Sequence, residues 1–443
     1  MRRLDQDYLR DDFKMDGDDM DEFMELCAEI DTHTKHVTKR LDLLETLSVK
    51  DCPENRARDA KELICYHMKP KDPINGGDML SAEVPLDITG YLDKGFGRLL
   101  QETKTDNHLI FRESVTGDRY FVSNNAFNTL AQRIDCDGKT LSHNCVERDL
   151  FLTRRLDTDI EGTMVIKELA DVKKVFAVMS KKYGPVPLEI LSRITRHLSQ
   201  SNCLGKPECL GWRISHMRAE IYIKFEEYAD DVSTAYNLSK RLVPVVSLLS
   251  SDIGECSIIA RGSWLTSQGD TVPDMEYVRE HRGEIDSEQV LKEVQESVFD
   301  KFTVLPERLA DLMGMDVTPD GCDLNTACGQ AENRAAVYEA FQWIFRKLKI
   351  PDILGQRRFA ELMECIDYSI NEQKHYDLYD LVNQCFSLPS QLQYFLIQAN
   401  LGDCMLQKLQ KAFAEAPYLN FKERKKNDQT EAEEQRVFLT PAV

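Results

Sequence analysis

The spacing of apolar and polar side chains changes once along this chain, near Gly314. Ahead of that point the clearest pattern has a period of two. Ala219, Ile221, Ile223 and Phe225 alternate with Glu220, Tyr222 and Lys224, which predicts a half-buried strand. Leu242 to Leu249 is a nearly continuous apolar run. It predicts a central strand with Pro244 at its start or at an irregularity. Residues 250–254 read Ser-Ser-Asp-Ile-Gly, which is turn chemistry ending in a glycine that tolerates positive φ. Cys256 to Trp264 is a third strand, so Leu242–Trp264 is expected to be a hairpin. Ile285, Val290, Val294, Val298, Phe302 and Leu305 then mark one face of a long helix, capped by Asp286 or Ser287. Its apolar face is expected to lie on the sheet carrying Ile221, Ile223 and Phe225.

Weaker patterns precede this unit. Residues 1–25 are rich in Asp and Glu and read as a poorly ordered arm. Leu26 to Leu47 has apolar residues at helical spacing, and a loop with Pro53, Pro70, Pro73, Gly76 and Gly77 follows. His108–Phe111 and Arg119–Val122 flank a turn at 114–118 and predict a hairpin. The Ser123-Asn124-Asn125 stretch offers an N-cap to a helix over Ala126–Ile134. Strands are expected at Met164–Glu168 and Val172–Ser180, then a hinge at 183–187 and a helix over Leu188–Leu198.

After Gly314 the period becomes helical, with helices expected over Ala331–Leu348, Gln356–Glu372, Leu378–Phe386 and Gln391–Ala414. The fold class is therefore α+β: an antiparallel-rich sheet with a long packing helix, followed by a mostly helical C-terminal region. The divisions expected are an N-terminal arm and helix at 1–78, a core domain at 79–313, the helical region at 314–415 and a flexible tail at 416–443.

Composition narrows the function classes. The chain has 443 residues, 42% of them hydrophobic, which is enough for substantial cores. No eighteen-residue apolar run occurs and the N-terminus has no apolar signal segment, so a cytoplasmic protein without a membrane partner is expected. The formal charge of −20 opposes a general phosphate-binding surface, so nucleic acid would need a local basic patch. Thirteen cysteines are scattered without a Cys-x-x-Cys knuckle. Cys203/Cys209, Cys322/Cys328 and Cys136/His143/Cys145 are the nearest approaches to metal spacing, and buried thiols are the default.

Catalytic patterns are missing in the same way. No Gly-x-Ser-x-Gly elbow or Cys–His spacing is recognisable, and the glycines of 90–97 lack the Gly-Lys-Ser/Thr of a phosphate loop. His216 and His281 read as structural or solvated residues. No catalytic residue, cofactor or metal is expected. One segment stands out: residues 148–200 are basic within an acidic chain. Arg154, Arg155, Lys173, Lys174, Lys181 and Lys182 could track a phosphate backbone, and Tyr183 could stack a base if its ring is exposed. The competing reading is a solvated face balanced by Asp157, Asp159, Glu161, Glu168 and Asp171.

Several short blocks occur in a familiar order. Residues 120–134 hold a displayed residue and then an Ala-Phe-x-x-Leu helix, and 175–187 hold a valine-rich strand, Ser-x-x-Tyr and an apolar–Pro step. Residues 246–258 hold an apolar strand followed by Ser-Asp-x-Gly-x-x-Ser, and 376–384 and 399–406 complete the order. Together they resemble the phage and plasmid-like proteins grouped as domain of unknown function 932, over about residues 80–410. At the end of the third strand the family pattern has a Cys-x-Asn-Gly-like sequence, where this chain reads Trp-Leu-Thr-Ser-Gln-Gly-Asp at 264–270. The resemblance implies a mobile-element origin and brings no catalytic residue with it. The expectation is a non-enzymatic protein that binds single-stranded DNA in replication or recombination. The alternative is a protein-interaction or assembly factor that uses an apolar patch on the helical C-terminal third, its partner a second copy of the chain or a phage or host protein.

Overall fold

In the computed structural model of the chain, the structure describes residues 3–69, 80–136, 145–156, 160–200, 204–267, 269–396 and 403–422. Their strands form two sheets. The first has six strands in the order β1 (Lys14–Gly17), β10 (Glu208–Ser215), β11 (Ala219–Lys224), β12 (Leu242–Ser250), β13 (Ile258–Thr266) and β14 (Thr271–Arg279), all antiparallel. The second has eight, built from β2 (Thr34–Arg40), β3 (Leu44–Val49), β4 (Glu62–Lys69), β5 (Leu80–Asp87), β6 (Leu109–Glu113), β7 (Arg119–Val122), β8 (Glu161–Leu169) and β9 (Val172–Ser180). Its order is β2-β8-β9-β7-β6-β3-β4-β5, and only the β7–β9 pair is parallel. Helices follow β14 through the C-terminal region, so the α+β class with antiparallel-rich sheets holds.

Several local expectations match the structure for the reasons that predicted them. Ser123 caps the Asn124–Arg133 helix, its Oγ accepting from the Ala126 N–H at 2.9 Å. The β12–β13 hairpin turns through Gly254 at φ +73°, where a Cβ would stand 2.6 Å from Met179 Cε and 2.9 Å from the Tyr183 ring. Ile221 and Ile223 face inward and pair across to Leu248 and Val246, which pair in turn to Ala260 and Gly262. Val298 and Phe302 lie over Gly262 on that same face, and Phe302 meets Trp264 edge-on at 5.3 Å. The missing side chain of Gly262 is what lets them approach.

The packing element over that face is not one long helix. It runs as Ser287–Ser297, a 3-10 turn at Phe299–Lys301 and a second helix at Val304–Leu312. Pro306 explains the break, since proline fits the first turn of a helix but not its interior. β14 is a strand that the pattern did not predict. Pro273 argues against a strand, yet here it sits beside a register shift in β13–β14, a bulge where the missing N–H is tolerated.

The N-terminal residues correct the sequence reading most. They form no arm: Tyr8 and Leu9 are fully buried, and Lys14–Gly17 is the edge strand of the six-stranded sheet. The helix expected over Leu26–Leu47 covers Met20–His33 instead and gives way to β2, β3 and the turn between them. Thr34, Val37 and Thr38 are β-branched and favour the strand that this stretch adopts. Strands β3 and β4 lie before residue 79 and inside the eight-stranded sheet, so chain and sheet do not divide there.

The C-terminal region carries helices at Ala327–Lys347, Ile350–Leu354, Gln356–Ser369, Leu378–Leu396 and Asp403–Ala414. It docks on β14. Tyr418 donates to Asp274 Oδ1 at 2.8 Å, and Ser390 donates to Asp270. Phe421 lies 5.5 Å from Trp343, so the first residues of the expected tail are packed. The remainder of the tail lies outside the described residues.

The two sheets differ in how they are covered. The eight-stranded sheet has a core on each face. One core includes Leu47, Val165 and Phe176, and the other Phe111, Phe127, Leu152 and Val178. The six-stranded sheet buries one face, through Leu242, Val246 and Leu248, in the main core. Val243 and Val245 of the opposite face are buried too, outside both clusters, whereas Tyr222 and Val278 of that face are exposed.

Candidate nucleic-acid interface

The residues singled out from sequence do not form one surface. Lys174 is only 2% exposed and lies between Glu102 at 2.7 Å and Asp11 at 2.8 Å. Tyr183 is buried at 8%, its hydroxyl donating to the Asp252 carbonyl at 3.0 Å and its ring stacked on His281 at 5.6 Å. Neither can meet a ligand from solvent, which corrects the expectation for both. Lys173 is held by Asp118 at 3.2 Å. Lys181 and Lys182 are exposed at the other end of β9, about 26 Å from Lys173 at roughly 3.3 Å per residue. Arg154 and Arg155 are exposed on the Cys145–Arg155 helix, with Arg155 over the Phe151 ring at 5.4 Å. Of the balancing acids, Asp157 and Asp159 lie outside the described residues.

Lys174 belongs to a charged seam buried between the sheets. Lys167 and Lys174 are direct partners across the β8–β9 hairpin, a repulsive placement unless each is neutralised. Lys167 pairs with Asp252 at 2.7 Å, both almost fully buried. Asp252 also receives the Thr34 hydroxyl at 3.4 Å, and its carbonyl lies 3.2 Å from His36 Nε2. His216 is buried beside both lysines, 3.9 Å from the Phe176 ring and 5.3 Å from Tyr8. Burial, and then the two lysine charges, hold its pKa well below the usual histidine range. The seam joins the N-terminal segment, β8, β9 and the 250–254 turn. At its Lys174 end Asp11 and Glu102 also line a cleft of about 310 Å³, but the seam's lysines are held by buried ion pairs, so its chemistry is cohesive.

A cleft of about 510 Å³ opens near the N-terminal segment and is lined by residues that include Arg10, Asp12, Lys14 and Arg98. Four of its charges pair off: Arg10 meets Asp12 at 2.7 Å and Arg98 meets Asp7 at 2.8 Å. Among the described residues, no group of three or more His, Cys, Asp or Glu is placed to hold a metal ion. Cys322 donates to the Gly329 carbonyl at 2.9 Å, while Cys203, His143 and the side chain of Cys145 lie outside the described residues. No described helix is long and apolar enough to cross a membrane.

The outer face of the six-stranded sheet has a different character. Residues directly opposite share a face, so one cross-strand row reads Gly211, Tyr222, Ser247, Arg261, Glu276. The adjoining row reads Asp16, Arg213, Glu220, Leu249, Ile259, Val278. Tyr222 is 43% exposed and Val278 51%. Arg213, Arg218 and Arg261 stand around Tyr222. Burial raises the tyrosine pKa and Glu220 adds to it, while Arg218, Arg213 and Arg261 act against the rise. Two of the arginines are loosely held and the third is closely paired. Glu220 is shared by Arg213 at 3.4 Å and Arg218 at 3.5 Å, and Arg261 meets Glu276 at 2.6 Å.

This face was partly legible. Alternation put Tyr222 on the outer side of β11, and Arg213 between the inward Trp212 and Ile214 follows the same rule. What the pattern did not supply was the register that brings β10, β11 and β13 together. Comparisons with protein-family models, with curated proteins and with solved structures find no match to this chain.

Proposed function

We propose that this protein acts by binding and not by catalysis, and that its ligand is a single-stranded nucleic acid laid across the outer face of the six-stranded sheet. The observation that carries this reading is Tyr222, exposed mid-sheet and ringed by Arg213, Arg218 and Arg261. An open antiparallel sheet with a displayed aromatic supplies a stacking platform, and flanking guanidinium groups supply phosphate contacts. Arg213 and Arg261 are three strands apart, about 14 Å at roughly 4.8 Å per strand, with Tyr222 between them. That span suits phosphates on either side of a stacked base. The half-buried Leu249 and Ile259 with exposed Val278 extend the platform along the next row. Duplex DNA is disfavoured, because its bases cannot reach a tyrosine on a flat sheet and the −20 net charge repels its dense phosphates.

A fluorescence-anisotropy titration of the full chain with a labelled oligothymidine at low salt tests this. Tyr222→Ala should weaken binding by roughly 5- to 150-fold, the equivalent of about 1–3 kcal/mol of stacking. Arg213→Glu/Arg261→Glu should abolish it at micromolar protein. Lys181→Glu/Lys182→Glu should bind as the native chain does. Equal binding by all folded variants, or none by the native protein, overturns the reading. If self-association of the native chain instead disappears in Tyr222→Ala, the occupant of the face is a second copy of the chain, and the assembly reading replaces this one.

A further inference from the structure

We infer that the N-terminal edge strand β1 is a built-in electrostatic competitor for the nucleic-acid face, a regulatory element of the site proposed above and dependent on that reading. Met15 and Gly17 of β1 turn towards the core, opposite Ile214 and Trp212. Gly17 has no room for a side chain there, since a Cβ would lie 2.5 Å from the Trp212 ring. That constraint fixes the register. It leaves Asp16 on the outer face directly opposite Arg213.

Arg213 therefore stands between two carboxylates, Asp16 on the β10 edge and Glu220 on β11. Glu220 is also shared with Arg218, so Asp16 supplies the second negative charge at this end of the platform. Lys14 is the other outward residue of β1, opposite Ser215, one step further from Tyr222 along the strand. A phosphate approaching Arg213 has to displace or face the Asp16 carboxylate.

The strand is anchored through the core. Tyr8 and Leu9 upstream are fully buried, Asp11 is tied to Lys174, and Asp19 caps the Met20–His33 helix. Asp16 is exposed, and none of these anchoring contacts involves it. The competitor thus weakens binding through its charge, and its removal strengthens binding.

The test is the same anisotropy titration with labelled oligothymidine, comparing the native chain, Asp16→Asn and Asp12→Asn, an equal charge change off this face. Asp16→Asn should tighten binding about fivefold at low salt, as expected for relieving one close charge pair in water, about 1 kcal/mol. Its salt dependence should steepen by about 0.7 in log K per log salt, as one more phosphate is neutralised. Asp12→Asn should stay within twofold of native. Equal affinity of Asp16→Asn and native overturns the inference while leaving the binding face intact. Equal tightening by both variants overturns it too, because net charge would then be the cause. Absence of binding by every form removes the inference together with the face it regulates.

Discussion

The two sheets use their cations in opposite ways. The eight-stranded sheet turns Lys167 and Lys174 inward, where Asp252, Asp11 and Glu102 neutralise them at 2.7–2.8 Å. The six-stranded sheet turns Arg213 and Arg261 outward, half exposed beside Tyr222. In sequence the lysines are the denser basic segment and the more obvious phosphate site. Structurally they are consumed by cohesion. A lysine inside a protein is stable only with a partner close by, so burial and phosphate binding exclude each other. Density of basic residues along a chain therefore does not show which of them reach solvent; strand register and burial do.

The contrast can be broken by substitution, and the largest effect belongs to the seam. Lys167→Ala leaves Asp252 charged, buried and poorly compensated, and should cost about 3–5 kcal/mol in chemical denaturation. Lys167→Met with Asp252→Leu should recover most of that loss, because a dry apolar pair replaces both desolvated charges. A Lys167→Ala protein of native stability would mean that the seam is hydrated and the contrast false.

Next in size is the tie to the N-terminal segment. Asp11 binds Lys174 and also accepts from the Asn124 N–H at 2.9 Å, at the start of a helix. Asp11→Ala should lower stability by about 1–3 kcal/mol, the usual cost of leaving a buried polar group short of a partner. Urea unfolding measures it. No change would show that Glu102 alone suffices for Lys174.

Acid should loosen the seam before the rest. Burial holds His36, His216 and His281 below the usual histidine range. The unfolded chain binds protons at these residues near pH 6.5 and the native state does not. Their contribution to stability is complete above that pH and is lost as pH falls through it. Asp31 opposes this. Burial pushes its carboxyl up to about 6, so the native state takes up that proton first and gains stability as pH falls from about 6 towards 4. His67 and His108 are held down by burial as well, and Glu102 and Asp274 are pushed up with Asp31; five histidines outweigh three carboxyls, and Tm should fall between pH 7 and 5.5. His216→Phe should flatten the profile. A Tm that rises on mild acidification would assign the region to the carboxyls.

The smallest effect sharpens the comparison. Arg213→Ala and Arg261→Ala should each change stability by less than about 0.5 kcal/mol, since exposed ion pairs contribute little. The same variants should lose nucleic-acid affinity. A large stability loss would make this face structural and remove its claim to a ligand.

Much of the local structure follows from sequence alone. The alternation over 219–225, the Ser123 cap and the glycine of the 250–254 turn each act over a few residues, and each appears where the pattern put it; the helical period after Gly314 holds as well, but the helix expected to stop at Phe386 continues through Pro389 to Leu396. Tyr222 on the outer side of its strand is of this kind. Where two local signals conflicted, the pattern misled. Pro273 hid β14, Pro306 split the packing helix, and the threonines of 34–38 made a strand out of a helical spacing. Only the tertiary structure decided which charges are buried and which residues meet. The helix over Glu189–Gln200 shows why. Its opening amides at Leu188 and Glu189 are held by Asp31, 2.8 and 2.6 Å away but 157 and 158 residues earlier in the chain. The same holds for Lys174 with Asp11 and for the arginines around Tyr222. A side chain's period states which way it points. What it meets there depends on partners brought in by chain segments far apart in sequence, and that meeting decides between a buried ion pair and a surface that can bind.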